Sequence, residues 1–203
     1  MLNRSSDHTA LLMIDVQKGF LDPYWGRRNN PDAEKNIFLL LDHFRRHGLP
    51  VVHIQHLSLE KKSPLRPGQT GSEFMDLTSP KWGERIFQKT VNSAFIGTGL
   101  ESYLRQVGIN HLSIVGLTTD HCVSTTTRMA ANLGFQVDLI DDATATFDRK
   151  ATTGEWIPAE VVHQVSLASL SGEFAQVFST QGFISSLDGA ESPRKITPVD
   201  KFC

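Results

Sequence analysis

Three side chains have the chemistry of an acyl-transfer site: the carboxylate of Asp15, the ammonium of Lys89 and the thiol of Cys122. A thiolate is a nucleophile, and a neighbouring carboxylate can take the thiol proton and later return it to a leaving group. A lysine beside that carboxylate would hold it ionised and oriented. Each residue also has a simpler reading: Asp15 as a turn or capping carboxylate, Lys89 as a solvated surface charge, Cys122 as a buried structural cysteine. Placement favours the chemistry. Asp15 closes the apolar run Ala10-Leu11-Leu12-Met13-Ile14, Lys89 closes Arg85-Ile86-Phe87-Gln88, and Cys122 follows Leu112-Ser113-Ile114-Val115-Gly116 by one turn of chain. With Thr119 as a helix cap, Cys122 takes the third helical position. There the first-turn N–H groups and the helix dipole favour a thiolate and are expected to lower its pKa.

The elements that must position these groups alternate. Residues 10–14, apolar without a break, read as a strand buried on both faces, as in parallel sheets. A loop carrying Asp22-Pro23, Gly26 and Asn29-Asn30-Pro31 follows, with Asn30 expected to cap a helix that has Pro31 at its first position. That helix buries Ile37, Leu40, Leu41 and Phe44 and stops at His47-Gly48. Residues 50–54 make a second strand, 57–83 a long loop rich in proline and glycine, and 85–89 a third strand. Thr98-Gly99-Leu100-Glu101 has capping-box form and opens a helix that Gly108 closes. Strands at 112–116, 137–140 and 174–178 alternate with helices at 119–133 and 159–170.

The pattern predicts a three-layer α/β/α, Rossmann-like fold with a six-stranded, mainly parallel sheet of order 3-2-1-4-5-6. In that order strands one and four are neighbours at the topological switch point, where ligands bind beyond the carboxyl ends of the strands. Asp15, Lys89 and Cys122 all fall near such ends. One domain is expected over residues 1–185, with 186–203 a tail that is mobile or packed on a neighbouring subunit.

Composition excludes several classes. The chain has 203 residues, with 20 Lys plus Arg against 22 Asp plus Glu, a formal charge of −2. Such balance gives no electrostatic footprint for nucleic acid. Apolar residues at 39% are too many for a disordered chain. Cys122 and Cys203 make no disulfide framework and suit a reducing compartment. No apolar run approaches a membrane span, and the first residues carry no signal-peptide core, so a soluble cytoplasmic protein with no membrane partner is expected.

The segments Leu12-Met13-Ile14-Asp15-Val16-Gln17-Lys18-Gly19-Phe20, Phe87-Gln88-Lys89-Thr90-Val91-Asn92-Ser93-Ala94-Phe95 and Gly116-Leu117-Thr118-Thr119-Asp120-His121-Cys122-Val123 resemble, in order and spacing, the isochorismatase-like cysteine hydrolase superfamily, which includes nicotinamidases and other small amidases. The resemblance covers residues 8 to about 180. It implies an Asp–Lys–Cys triad at Asp15, Lys89 and Cys122, and a cis peptide at Leu117–Thr118. It also implies an oxyanion hole from the N–H groups of Thr118 and Cys122, and a homodimer or homotetramer.

The chain departs from the nicotinamidase pattern, which carries an Asp-x-His pair and a later His on a divalent metal. Here the stretch reads His53-Ile54-Gln55-His56-Leu57-Ser58, and residues three apart on a strand face opposite sides. His43 and His47 read as exposed helix histidines. No metal and no cofactor are therefore expected; Gly97-Thr98-Gly99 is a helix start rather than a dinucleotide fingerprint. His121 adjoins Cys122 but points about 100° away on a helix, against a Cys–His dyad. Phe20, Trp25, Trp82 and Phe95 are candidate pocket walls; core packing is the simpler reading of Phe20 and Phe95, whereas the loop-borne Trp25 and Trp82 look more like walls. Thr119 and His121, with His56, Asn92 and Ser93, are candidate polar contacts. The leading expectation is a hydrolase that cleaves the C–N bond of a small-molecule amide through a thioester. Hydrolysis of a vinyl ether by an isochorismatase, and a catalytically silent binding or assembly subunit, are the alternatives.

Overall fold

The computed structural model describes residues 8–189. Strand β1, Thr9–Ile14, is buried along its whole length because it lies between two parallel neighbours. Leu11 and Met13 pack into one core layer, and Ala10, Leu12 and Ile14 into the other. This is the two-faced burial that the unbroken apolar run requires. Helix α1, Ala33–Arg46, lays Ile37, Leu40, Leu41 and Phe44 on the first layer. Strand β2, Val51–His56, and strand β3, Arg85–Lys89, complete one half of the sheet. Helix α2, Leu100–Gln106, covers the other layer with Leu100 and Leu104.

Strand β4, His111–Leu117, leads through a π-helical turn, Thr119–Val123, into helix α3, Ser124–Asn132. Strand β5, Gln136–Ala145, is followed by a small antiparallel pair, β6 at Arg149–Lys150 and β7 at Trp156–Ile157. Helix α4, Ala159–Leu170, strand β8, Gln176–Phe178, and helix α5, Thr180–Leu187, end the described chain. The main sheet has six strands in the order β3-β2-β1-β4-β5-β8, every pair parallel. This is the expected three-layer arrangement, with β8 as the sixth strand. Among the described residues no helix is long and apolar enough to cross a membrane.

Several local expectations differ from the structure. Asn30 is not the cap of α1; Asp32 holds that position, and Asn30 sits at φ 42° with its amide donating to the carbonyls of Asp141 and Thr144. Thr98 does not cap α2 directly: its hydroxyl donates to the Ala94 carbonyl while accepting from the Leu100 N–H, and Gly99 begins the helix. The helix expected over 119–133 opens instead as a wider turn. Helix α5, which the sequence reading lacks, runs past residue 185, with Phe183 stacked on Phe44 of α1 and Ser179 capping its first turn. The rest of the tail expected over 186–203, from residue 190 onward with Cys203, lies outside the described residues, as do residues 1–7.

Candidate active site

The carboxyl ends of β1, β3 and β4 bring Asp15, Lys89 and Cys122 into one buried cluster. The Lys89 ammonium donates to Asp15 Oδ2 at 2.6 Å and to Cys122 Sγ at 3.2 Å, and its third contact is His56 Nδ1 at 3.1 Å. An ammonium has three N–H bonds, and three acceptors use all of them. The Asp15 and Lys89 side chains are both fully buried, while Cys122 keeps 8% exposure, so the thiol is the member an incoming molecule can reach. Asp15 Oδ1 is buried with no hydrogen-bond partner among the described residues. That free lone pair is where the carboxylate can accept a proton.

Local backbone geometry explains these positions. Asp15 leaves β1 at φ 53°, in the left-handed region, which turns its side chain out of the strand's alternation. Its N–H donates to the Ile54 carbonyl and its carbonyl accepts from Gln17, so the turn is held on both sides. On the neighbouring strand Gly116 adopts φ 120°, and a Cβ there would stand 2.0 Å from the Ile14 carbonyl oxygen. Only glycine lets β4 run this close to β1, beside Asp15. The Leu117–Thr118 peptide bond is cis. The Thr118 carbonyl then accepts from the N–H groups of both His121 and Val123, so the bonds of the π-helical turn straddle Cys122. Thr118 Oγ1 is reached by Arg149, whose guanidinium is held on the Asp120 carboxylate at 2.7 Å. Burial works against that carboxylate, but hydrogen bonds from Arg149 and Thr146 prevail and lower its pKa to about 2.

The electrostatics revise one expectation. The Cys122 thiol was expected to be acidified by its helix start. Burial instead pushes it up, the Asp15 charge adds to that, and Lys89 opposes both without winning. In a dry site, desolvation of a thiolate outweighs first-turn N–H groups. Lys89 is itself disfavoured by burial, but the Asp15 charge and the hydrogen bonds to Asp15 and Cys122 raise its pKa. The resting site is therefore a thiol beside a carboxylate–ammonium pair.

Other candidates fall into three groups. Phe95 is buried in the same core layer as Cys122 and stacks on Phe135, while Phe20 packs against Phe147 and Trp25, whose indole N–H donates to the Gly19 carbonyl. Trp82 is not brought to the cluster: it precedes β3, at the opposite end of the sheet, and is wholly exposed. A late residue in a crossover loop has already returned to the amino end of the next strand. His121 is half exposed and lies beside Asp120, 3.5 Å away. Thr119 is fully buried and bonded to His163 Nδ1 at 2.9 Å. Ser93 accepts from the Phe95 N–H, and Asn92 Oδ1 lies 3.8 Å from Sγ.

Three residues matter more than their sequence context signals. His56 is one of several polar candidates in sequence, and pairing of β2 with β3 sets it beside Lys89 in register. Gln17 is fully buried, donates to the carbonyls of His56 and Ser72 and accepts from the His56 N–H, tying β1, β2 and the following loop together. His163 Nδ1 is bonded to Thr119, and its other nitrogen lies 3.4 Å from the Asn30 amide, whose two N–H bonds go to the carbonyls of Asp141 and Thr144. These contacts link positions far apart in sequence, and no local motif announces them.

A divalent cation does not fit here. One ligand atom each from Asp15, His56 and Cys122 lie within 4.8 Å of one another, but the Lys89 ammonium contacts all three, so a cation would meet a fixed positive charge. His53, the other half of the pair considered in sequence, is committed elsewhere, to Glu84 at 2.8 Å. His43 and His47 share a face of α1, though His43 is buried rather than exposed.

Comparison with known proteins gives the family of the chain. A family model described as the Isochorismatase domain matches residues 9–182. The isochorismatase family protein YrdC of Bacillus subtilis (strain 168) is 46% identical over 176 residues, covering 87% of this chain and 94% of its own. A streptothricin hydrolase of Streptomyces noursei is 32% identical over 169 residues, which is 81% of this chain and 66% of that protein. The crystal structure of an isochorismatase-family protein from Chromobacterium violaceum ATCC 12472 superposes with a TM-score of 0.88 at 42% identity, covering 93% and 97% of the two chains. The chain is a hydrolase of the isochorismatase family.

Proposed function

We propose that this hydrolase is a metal-independent cysteine enzyme that cleaves the C–N bond of a small amide through a thioester. The observation that carries the reading is the shared ammonium. Lys89 holds Asp15 Oδ2 and Cys122 Sγ at 2.6 and 3.2 Å, and Asp15 Oδ1 has no hydrogen-bond partner among the described residues.

The chemistry follows from the resting protonation. Asp15 takes the thiol proton as Sγ attacks the amide carbon, so the thiolate exists only while its negative charge is being spent on the new C–S bond. The carbonyl oxygen becomes an oxyanion, and the N–H groups of Thr118 and Cys122 are its proposed donors. The C–N bond breaks as Asp15 passes its proton to the leaving nitrogen. Water then gives a proton to Asp15 and its oxygen to the acyl carbon; the C–S bond breaks, and the sulfur recovers the proton. Lys89 stays protonated throughout. Its charge lowers the energy of the thiolate and keeps Asp15 in place.

The test is Cys122→Ala assayed with a panel of primary amides and with isochorismate. The reading expects amide hydrolysis in the parent enzyme and a loss of at least about a thousandfold in the variant. Isochorismate turnover that survives Cys122→Ala and vanishes in Asp15→Asn would favour proton transfer to a vinyl ether instead. Unchanged amide turnover in Cys122→Ala would sink the thiolate route.

A further inference from the structure

A second group of ligating side chains lies far from Cys122, where the carboxyl end of α1 meets the carboxyl end of α5. His43 and His47 are one helical turn apart on α1, with ring centroids 4.2 Å apart. Asp188, the residue that closes α5, places Oδ1 3.8 Å from His43 Nε2. One nitrogen from each histidine and one carboxylate oxygen lie within 4.8 Å of one another. We propose that His43, His47 and Asp188 bind a divalent transition-metal ion, Zn2+ foremost, which clamps α5 onto α1.

The donor set and its spacing suit that class of ion. Two imidazoles and one carboxylate are ordinary Zn2+ ligands, and a water completes the tetrahedron. Ligand atoms about 2.0 Å from a tetrahedral ion stand roughly 3.4 Å apart, so small side-chain rotations close the present separations. A hard ion such as Mg2+ or Ca2+ prefers oxygen donors, and two imidazoles select against it.

The supporting hydrogen bond also fits. His47 Nδ1 donates to the His43 carbonyl at 2.8 Å, which leaves Nε2 as the nitrogen with the free lone pair. Bonding one ring nitrogen to a carbonyl is how metal-binding histidines are oriented and their tautomer set. His43 is buried, so its ring is held in place against α1. Among the described residues, the other charges that act on His43 are Arg46 and Asp42, which pair with each other at 2.8 Å. No ammonium among the described residues contacts this group as Lys89 contacts the Cys122 cluster.

The experiment uses the full chain, stripped with chelator, in a Cys122→Ala background that removes the competing buried thiol. Co2+ is titrated in by visible absorption and Zn2+ by calorimetry and thermal unfolding, for the parent, His47→Gln and Asp188→Asn. Both substitutions fall at exposed positions and leave the core intact. The proposal expects one equivalent of Co2+ with tetrahedral absorption and no thiolate charge-transfer band. It also expects an affinity loss of at least tenfold in each variant. Zn2+ at a hundredfold over its Kd should raise the Tm by roughly 5 °C or more in the parent, and by less at the same Zn2+ concentration in either variant. The absence of saturable binding would overturn the proposal. So would a thiolate band, which would place the ion on Cys203, or an affinity that either substitution leaves unchanged.

Discussion

Replacing Lys89 by Met tests whether the ion pair at the centre of the site is as dry as the structure makes it. Both side chains of the Lys89–Asp15 pair are fully buried and their charged atoms are 2.6 Å apart. Among the described residues the other Asp15 oxygen has no hydrogen-bond partner, so Lys89→Met leaves a buried carboxylate without a cation to offset its desolvation. Removing one member of a buried pair typically costs about 3–5 kcal/mol, far more than the 0–1 kcal/mol of an exposed pair. For a domain of this size each kcal/mol moves the Tm by about 2–4 °C, so a fall of roughly 6–20 °C is expected. Urea and thermal unfolding of Lys89→Met, Asp15→Asn and the double variant form the assay. The double variant, which buries no net charge, should be more stable than the sum of the single losses implies, by at least about 1 kcal/mol. A single-variant loss below about 1 kcal/mol, or strict additivity, would refute the reasoning.

Three further outcomes follow from particular contacts. Burial disfavours the Glu84 carboxylate, but Arg45, the Lys81 N–H and His53 overcome it and bring its pKa from 4.5 to about 2. A folded pKa below the unfolded one means stability that is present above pH 4.5 and lost as pH falls towards 2. Wild type should therefore lose more stability than Glu84→Gln over that window in pH-dependent urea unfolding, and parallel curves would contradict the assignment. Asp15 is one of the groups that push the Cys122 thiol up, whereas Lys89 pulls it down. Asp15→Asn should thus shift the pH profile of Cys122 alkylation by iodoacetamide to lower pH while abolishing turnover; a shift to higher pH would show that the carboxylate does not oppose the thiolate. Gly116→Ala would drive a Cβ to 2.0 Å from the Ile14 carbonyl, at a φ that disfavours side chains. A loss of at least about 2–3 kcal/mol, or insoluble protein, is expected on denaturant unfolding or expression.

What could be read from the chain alone follows how local each signal is. The apolar runs at Ala10–Ile14 and Leu112–Gly116 announce buried parallel strands, and alternation with helices orders them, so the ends where Asp15, Lys89 and Cys122 gather were legible. Features that depend on distant partners were not. His56, Gln17 and His163 are ordinary polar residues until strand register and the 57–83 crossover bring their partners to them. Trp82 shows the converse error: its loop was correctly found, but which end of the sheet a loop residue occupies depends on how far along the crossover it lies. The thiol shows a third kind. A dipole argument built on the local helix start was sound in sign, but burial and the Asp15 charge, neither of them local, outweighed it.

The central claim is that Cys122 carries the acyl group of the substrate. The most direct measurement is rapid acid quench of the enzyme during turnover of a small primary amide found in the panel screen, followed by peptide mass spectrometry. The account predicts an adduct of the acyl mass on the peptide that contains Cys122, labile to hydroxylamine and absent from Cys122→Ala and Asp15→Asn. Turnover of that amide at an undiminished rate by Cys122→Ala, or an acyl adduct on another residue, would contradict it.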